Sequence, residues 1–391
     1  MNNYNFSDQL LSFGNNSTRD KVQSWIKKWS SFQDNINFIL VLAGTKTAQI
    51  EGISAAGETI DSRKYTALAD GEFFIYGPTP SPKWALPSLK KGVSPALISY
   101  AASKLIKLNS QIVALGLPET PNFEYFNFEE IDYGPSNSIE TGQAMSITRV
   151  NKLLDKGISF GKKIKGPIIL GESVPGGTTT AEAILTGLGF SVNELVGSSM
   201  RYPPYELKKR VVAAGLSRAS LDICSTTLDL LAAVGDPFQA FGLGLVIGAR
   251  ESNQEVLLAG GSQMIALLAL VLKECNQSQI NDVAKGISIA TTSWLFKENK
   301  KGIDNKNSIS KMLELISFSY KVDILGLVSG LNFTKSKYKE FRDYENGYVK
   351  EGVGAGALSL LSYLYGNEYS KIMNLCEEIF EAQIKSLGKY N

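Results

Sequence analysis

Histidine does not occur anywhere in the 391 residues. Its absence excludes every scheme in which an imidazole moves a proton, completes a serine or cysteine nucleophile system, or holds zinc. Proton transfer near neutral pH therefore falls to Glu, Asp, Lys, Tyr or Cys, with the pKa moved by burial or by neighbours. Cysteine is scarce as well. Cys224, Cys275 and Cys376 are odd in number and far apart, with no CxxC and no zinc spacing. They read as buried free thiols of a reducing cytoplasm, and no metal is expected. An excess of one charge is lacking too: 40 Lys and Arg against 38 Asp and Glu leave +2. That gives no concentrated basic face for nucleic acid. The two local basic clusters, at 162–165 and from Lys297 to Lys306, read as solvated loops. Long apolar runs are missing. The stretch 228–249 is broken by Asp236 and Pro237, and 256–272 is short and carries Gly260-Gly261, so both suit a buried α/β core better than a bilayer. The start, MNNYNFSDQLLSFGNN, has no basic segment followed by an apolar one, so neither a signal peptide nor a membrane location is expected.

What is present is ordinary in bulk and specific in one place. Apolar residues make up 43% and charged residues 20%, and the length allows one large α/β domain or two smaller ones. The informative segment is KGPIILGESVPGGTTTAEAILTGL, Lys165 to Leu188. An apolar run through Leu170 predicts a strand end. It gives way to a loop with Gly171, Gly176 and Gly177, and then to the helical pattern Ala181 to Leu185. That order aims unpaired N–H groups and the positive end of a helix dipole at one point, where anions collect. Ser173, Thr178, Thr179 and Thr180 add hydroxyl donors. Glu172 is the odd member, because a carboxylate there repels phosphate unless it faces another part of the ligand. Thr178, not Lys, follows Gly177, so this is no P-loop, and Gly171, Ser173 and Gly176 break the dinucleotide fingerprint.

Strand patterns at Asn37–Gly44, Gln111–Leu115, Val256–Ala259, Ile287–Thr291 and Ile324–Val328 alternate with helical ones. The alternation predicts an α/β fold with a doubly wound, mostly parallel, Rossmann-like sheet. The predicted division is a large α/β domain over 35–330 and a smaller helical region from both termini, 1–34 plus 331–391. Residues 1 to about 34 read as an amphipathic helix, and the proline-dense Pro78–Pro87 as an exposed connection. The stretch 52–57 reads as a small-residue loop, and the glycine loops at 171–177, 260–261 and 352–356 are candidates for the carboxyl edge of the sheet, where ligands gather. In YVKEGVGAGA, Glu351 stands just before Gly352, Gly354 and Gly356. Close helix packing through small residues would explain the glycines. A carboxylate held at a cleft mouth would explain Glu351 as well.

These motifs carry a resemblance. GESVPGGTTTA at 171–181 resembles the GExxxGNTT loop of nicotinate-nucleotide:dimethylbenzimidazole phosphoribosyltransferases, and most closely the GESxPGGTTT form of their cyanobacterial and archaeal branch. The small-residue helices from Asp229 to Ala249, AGGSQM at 259–264 and KEGVGAG at 350–356 continue the order, the last resembling the family's GEGTGA segment. The family's Asn in the first loop is Gly177 here, so any contact of that amide is lost or replaced. The resemblance implies transfer of phosphoribose from nicotinate mononucleotide to a benzimidazole-like base, giving α-ribazole phosphate and nicotinate in cobalamin assembly. Glu351 would accept the proton of the incoming base. Glu172, Ser173, Gly176, Gly177, Thr178, Thr179, Gly260, Gly261, Ser262, Gly352 and Gly354 would hold the substrates. The family's lysine would fall to Lys208, ahead of Lys209 and Arg210, a trio that otherwise reads as an exposed basic face. No cofactor is implied, and the family's example implies a homodimer. Two other readings stay open: a phosphoribosyltransferase for another base such as adenine, and a non-catalytic nucleotide binder. A membrane transporter is a third, and the composition argues against it.

Overall fold

In the computed structural model, residues 10–15, 17–221, 225–298 and 307–386 are described. Cys224 and residues 299–306 of the second basic cluster lie outside them. Eight strands form one sheet: β1 (Leu11–Phe13), β2 (Asn37–Ala43), β3 (Asn109–Leu115), β4 (Phe126–Asn127), β5 (Ile168–Ser173), β6 (Val256–Ala259), β7 (Ile287–Thr292) and β8 (Leu325–Ser329). Their order is β1-β8-β7-β6-β5-β2-β3-β4. Every pairing is parallel except that of β1 with β8.

The helices are α1 (Arg19–Ser30), α2 (Ile60–Tyr76), α3 (Ala96–Ser103), α4 (Ile147–Lys163), α5 (Gly177–Gly187), α6 (Tyr205–Arg218), α7 (Thr227–Val234) and α8 (Pro237–Glu251). They continue with α9 (Ser262–Glu274), α10 (Ile280–Lys285), α11 (Ser293–Phe296), α12 (Ser308–Tyr320), α13 (Lys339–Glu345), α14 (Ala355–Leu364) and α15 (Tyr369–Ser386).

The central strands read NFILVLA and VLLA because both faces of the sheet are covered, so both sets of alternating side chains are buried. Ile39, Val41, Leu170 and Leu258 point into one core, with α4, α5, α7, α8 and α9. Phe38, Leu40, Leu42, Ile169 and Leu257 point into the other, with α1, α2, α3, α14 and α15. The helices of the two termini therefore share a core with α2 and α3. Strand order reverses between β2 and β5: β3 continues on one side of β2, while β6, β7 and β8 continue beyond β5. A doubly wound sheet opens a crevice at such a reversal, on the carboxyl side of its strands.

Two local expectations change, at the N-terminal segment and at 78–87, and the break expected in 228–249 is present. The first 34 residues hold a strand before the helix, and Thr18 caps α1 by accepting from Lys21 N. β1 exists because Phe13 is buried against Phe296 and its backbone completes the edge of β8. That pairing joins residues more than 300 apart and leaves no local pattern. The Ala/Gly-rich run 228–249 splits where Asp236 caps α8 and Pro237 takes its first position. Its glycines allow α8 to lie directly on α4, since a Cβ on Gly244 would collide with the Leu154 carbonyl oxygen. Pro78–Pro87 is not a free connection. Glu72 accepts the backbone N–H of Lys83 and of Trp84, and the Trp84 ring is buried.

Candidate active site

At the β2/β5 reversal lies a cavity of about 140 Å³. Four stretches far apart in sequence meet around it: 53–56 after β2, 172–178 around the end of β5, 261–263 after β6, and 349–353 before α14. Each of the last three leads into a helix, α5, α9 or α14, so the positive ends of three helix dipoles border one space. Gly176 takes φ +83° to make the turn into α5, and a Cβ there would stand 2.8 Å from Ala48 N. The helix begins at Gly177, four residues before the apolar helical pattern becomes visible.

Glu351 is held by four donors. Its Oε2 accepts Thr292 N at 2.7 Å and Thr291 Oγ1 at 3.1 Å. Its Oε1 accepts Gly352 N at 3.1 Å and Gly356 N at 3.2 Å. Burial raises its pKa, and these donors pull the other way. The loop that carries it is strained: Val349, Lys350 and Val353 have φ of +65°, +73° and +55°. Such conformations disfavour side chains branched at Cβ, and they persist only where the surroundings impose them. Here the anchors are explicit. Val349 N donates to Ser199 O, Val353 N donates to Glu172 O, and Thr292 Oγ1 donates to the Lys350 carbonyl. The Lys350 ammonium donates to Met200 O at 2.8 Å and pairs with Glu298 at 2.6 Å.

Glu172 lines the same cavity, near enough to Glu351 and Asp70 for both to act on its charge. Burial and the neighbouring carboxylates, Asp236 foremost, push its pKa up to about 8. At neutral pH it is mostly protonated. Repulsion of phosphate, the objection raised by a carboxylate at this place, is thereby removed.

Glu351, Glu172, Ser173, Gly176, Gly177, Thr178, Gly261, Ser262 and Gly352 all line the cavity. Thr179, Gly260, Gly354 and Lys208 stand outside that lining. Thr179 is buried in the first turn of α5, Gly260 N donates to Ala290 O, and Gly354 caps α14 with φ +75°. Lys208 is wholly buried, which overturns the exposed basic face for this member of the trio, whereas Lys209 and Arg210 are exposed. Its ammonium donates to Val196 O and Gly197 O, both at 3.0 Å, and pairs with Glu182 at 3.0 Å. It fixes the 196–199 wall, of which Gly197, Ser198 and Ser199 line the cavity.

The sequence reading missed Asp70, Ser94, Gln263 and Lys350, all of which line the cavity. Gln263 takes up the room beside Gly177, where a Cβ would stand 2.6 Å from Gln263 Nε2. That amide donates to Asp236 at 2.7 Å and accepts from Gln239 at 2.8 Å. Asp70 could have been noticed as a lone charge in TALADG, a stretch of small and apolar residues. Gln263 had no such signal. Among the described residues, no three His, Cys, Asp or Glu side chains are placed to hold a metal ion. No helix among them is long and apolar enough to cross a membrane.

Residues 99–281 match the family model described as phosphoribosyltransferase (DBI_PRT). Over 96% of its length the chain is 48% identical to a UPF0284 protein of Prochlorococcus marinus strain MIT 9215, covering 96% of that protein. It is 35% identical to a UPF0284 protein of Picosynechococcus sp. strain PCC 7002, over 91% of this chain and 94% of the relative. Among solved structures it resembles CobT from Thermus thermophilus, with TM-score 0.58 and 14% identity over 94% of this chain and 93% of that one. A second structure from the same organism, a nicotinate-nucleotide-dimethylbenzimidazole phosphoribosyltransferase, gives the same values. At that identity the likeness carries the fold.

Proposed function

Because the chain belongs to the UPF0284 family, we propose from its site that it is a phosphoribosyltransferase moving the phosphoribosyl group of nicotinate mononucleotide to a benzimidazole-like base. The products are an α-ribazole phosphate and free nicotinate, in assembly of the lower nucleotide loop of cobalamin. The observation that carries the reading is the meeting of three helix starts and a tethered carboxylate, Glu351, around one cavity. The helix starts of α5 and α9 hold the phosphate and ribose through backbone N–H groups, Thr178 and Ser262. Glu172, protonated, donates to a substrate oxygen.

A ring nitrogen of the base attacks C1′, and the bond from C1′ to the nicotinate nitrogen breaks with its electron pair leaving on nicotinate. The leaving group is already a pyridinium, so it needs no general acid. As the attacking ring becomes positive, the proton on its other nitrogen passes to Glu351. All four acceptor positions of that carboxylate are occupied, and Thr291 holds the one donor that can rotate aside. The backbone donors favour the carboxylate form of Glu351, while burial raises its pKa and favours proton uptake. Support also comes from the phosphoribosyltransferase model matched by 99–281 and from the names of the solved structures that share the fold. By the same analogy the working form is a homodimer.

The test is nicotinate release from nicotinate mononucleotide with and without added base. Glu351→Gln is expected to bind the nucleotide as the parent does and to lose about 10²- to 10⁴-fold in turnover, the range for a general base. Unchanged turnover would remove Glu351 from that role. Nucleotide binding with no base-dependent release in the parent chain would make it a binder only.

A further inference from the structure

Asp70 is an acidic group of this cavity that the proposed transfer leaves unused. It lies in α2, which buries Leu68, Ala69, Phe73 and Phe74 together with Arg63, Thr66 and Glu72, and it is itself only 4% exposed. Its Oδ1 accepts Ser94 Oγ at 2.6 Å and its Oδ2 accepts Ser173 Oγ at 2.7 Å. Both serines line the cavity beside it, so the three side chains form one polar patch on the wall. Ile53, Pro87, Leu89 and Pro95 supply apolar parts of the same lining. Two acceptor positions of the carboxylate remain. Lys350, the one cation among the described lining residues, donates to Glu298 and Met200.

A carboxylate buried without a cation is costly, and an Asn could satisfy the same two hydroxyls at less expense of desolvation. Along the sheet edge, Glu351 is anchored by Thr292 at the end of β7 and Asp70 by Ser173 at the end of β5, so β6 stands between the two anchors. A flat ring whose proton faces Glu351 therefore turns its far edge toward Asp70. A methyl-bearing edge would leave the carboxylate unmatched, whereas an N–H would match it.

We infer that Asp70 is a specificity residue, and that the acceptor base carries an N–H donor, an amino group or ring N–H, on the edge away from its attacking nitrogen. The inference rests on the phosphoribosyl-transfer reading for the word acceptor. Its recognition part stands on the cavity alone. Burial pushes the Asp70 carboxyl up to about 6, so it is mostly ionised at pH 7.5, where the experiment belongs.

The experiment uses the full chain, nicotinate mononucleotide, and bases paired with and without an amino group: 5-aminobenzimidazole against 5-methylbenzimidazole, and 6-aminopurine against purine. Turnover gives kcat/KM for each, and calorimetry gives the affinity of each. The amino member of at least one pair is expected to be favoured about 10- to 100-fold, as for a hydrogen bond to a charged acceptor. Asp70→Asn is expected to bring that ratio close to one, whereas a structural role would lower both members together. Equal values within both pairs, or a ratio unmoved in Asp70→Asn, overturn the inference, and the parent ratios decide it alone if the variant does not fold. Amino-selective, Asp70-dependent binding with no nicotinate release from any base would sink the transfer reading and leave the recognition intact.

Discussion

Glu172 and Lys208 show how far burial moves single groups in a chain without imidazole. Glu172 binds its proton more tightly in the folded chain, near pH 8, than at its ordinary value of 4.5. Its contribution to stability is complete below about 4.5 and is lost as pH rises through about 8. Asp70 follows the same rule over a lower window, from 3.8 to about 6. The expected result is a thermal midpoint that falls between pH 6 and 8, with the fall reduced in Glu172→Gln. Parallel curves for parent and variant would contradict it. Lys208 is pulled below its usual range by burial, and Glu182 partly restores it. Removing one member of a buried pair strands the other, so Lys208→Ala should cost about 3–5 kcal/mol. Lys208→Met with Glu182→Leu should recover most of that loss in urea unfolding. Neither the depth of Lys208 nor its partner was legible in KKR, because three adjacent cations carry no mark of which one turns inward.

At the level of elements, the strands were legible because burial on both faces writes continuous apolar runs such as NFILVLA. The glycine loop at 171–177 was legible for a different reason: its turn requires a residue without a side chain. Gly176→Ala places a Cβ in the left-handed region and against Ala48 N, at about 1–2 kcal/mol for the backbone alone. It should also weaken nucleotide binding by shifting the first N–H groups of α5. Urea midpoints and calorimetry measure the two effects, and full stability with parental affinity would show that this turn does not hold the phosphate. The 349–353 loop was only half legible. GVGAG signals freedom, but the positive φ of Val349, Lys350 and Val353 arises from anchors at Ser199, Glu172 and Glu298. No local pattern announces a strain that distant residues impose.

For the whole molecule, the terminal helices share one core with α2 and α3, and β1 closes the edge of β8. We propose that the working form is the homodimer that the family's example implies. Phe318 is 82% exposed on α12, with Leu315 one turn away on the same helix, a costly arrangement for a lone chain. Light scattering should report twice the chain mass at micromolar concentration, and Phe318→Ser should shift it toward the single chain if α12 lies in the contact. A monomer in the parent chain would end that proposal.

Alternation of apolar runs with helical ones was enough to establish a doubly wound parallel sheet, since each pattern is produced by the chain's own burial period. Spacing of glycines and hydroxyls within each short motif was enough to single out the 171–177 loop and Glu351, which the fold brings to one cavity. Folding alone placed Asp70 beside Ser173, Gln263 beside Gly177, and Lys350 against Glu298. Those pairs are brought together from 52 to 103 residues apart by the order of the strands. Only that order places carboxylates close enough to shift one another's proton affinity.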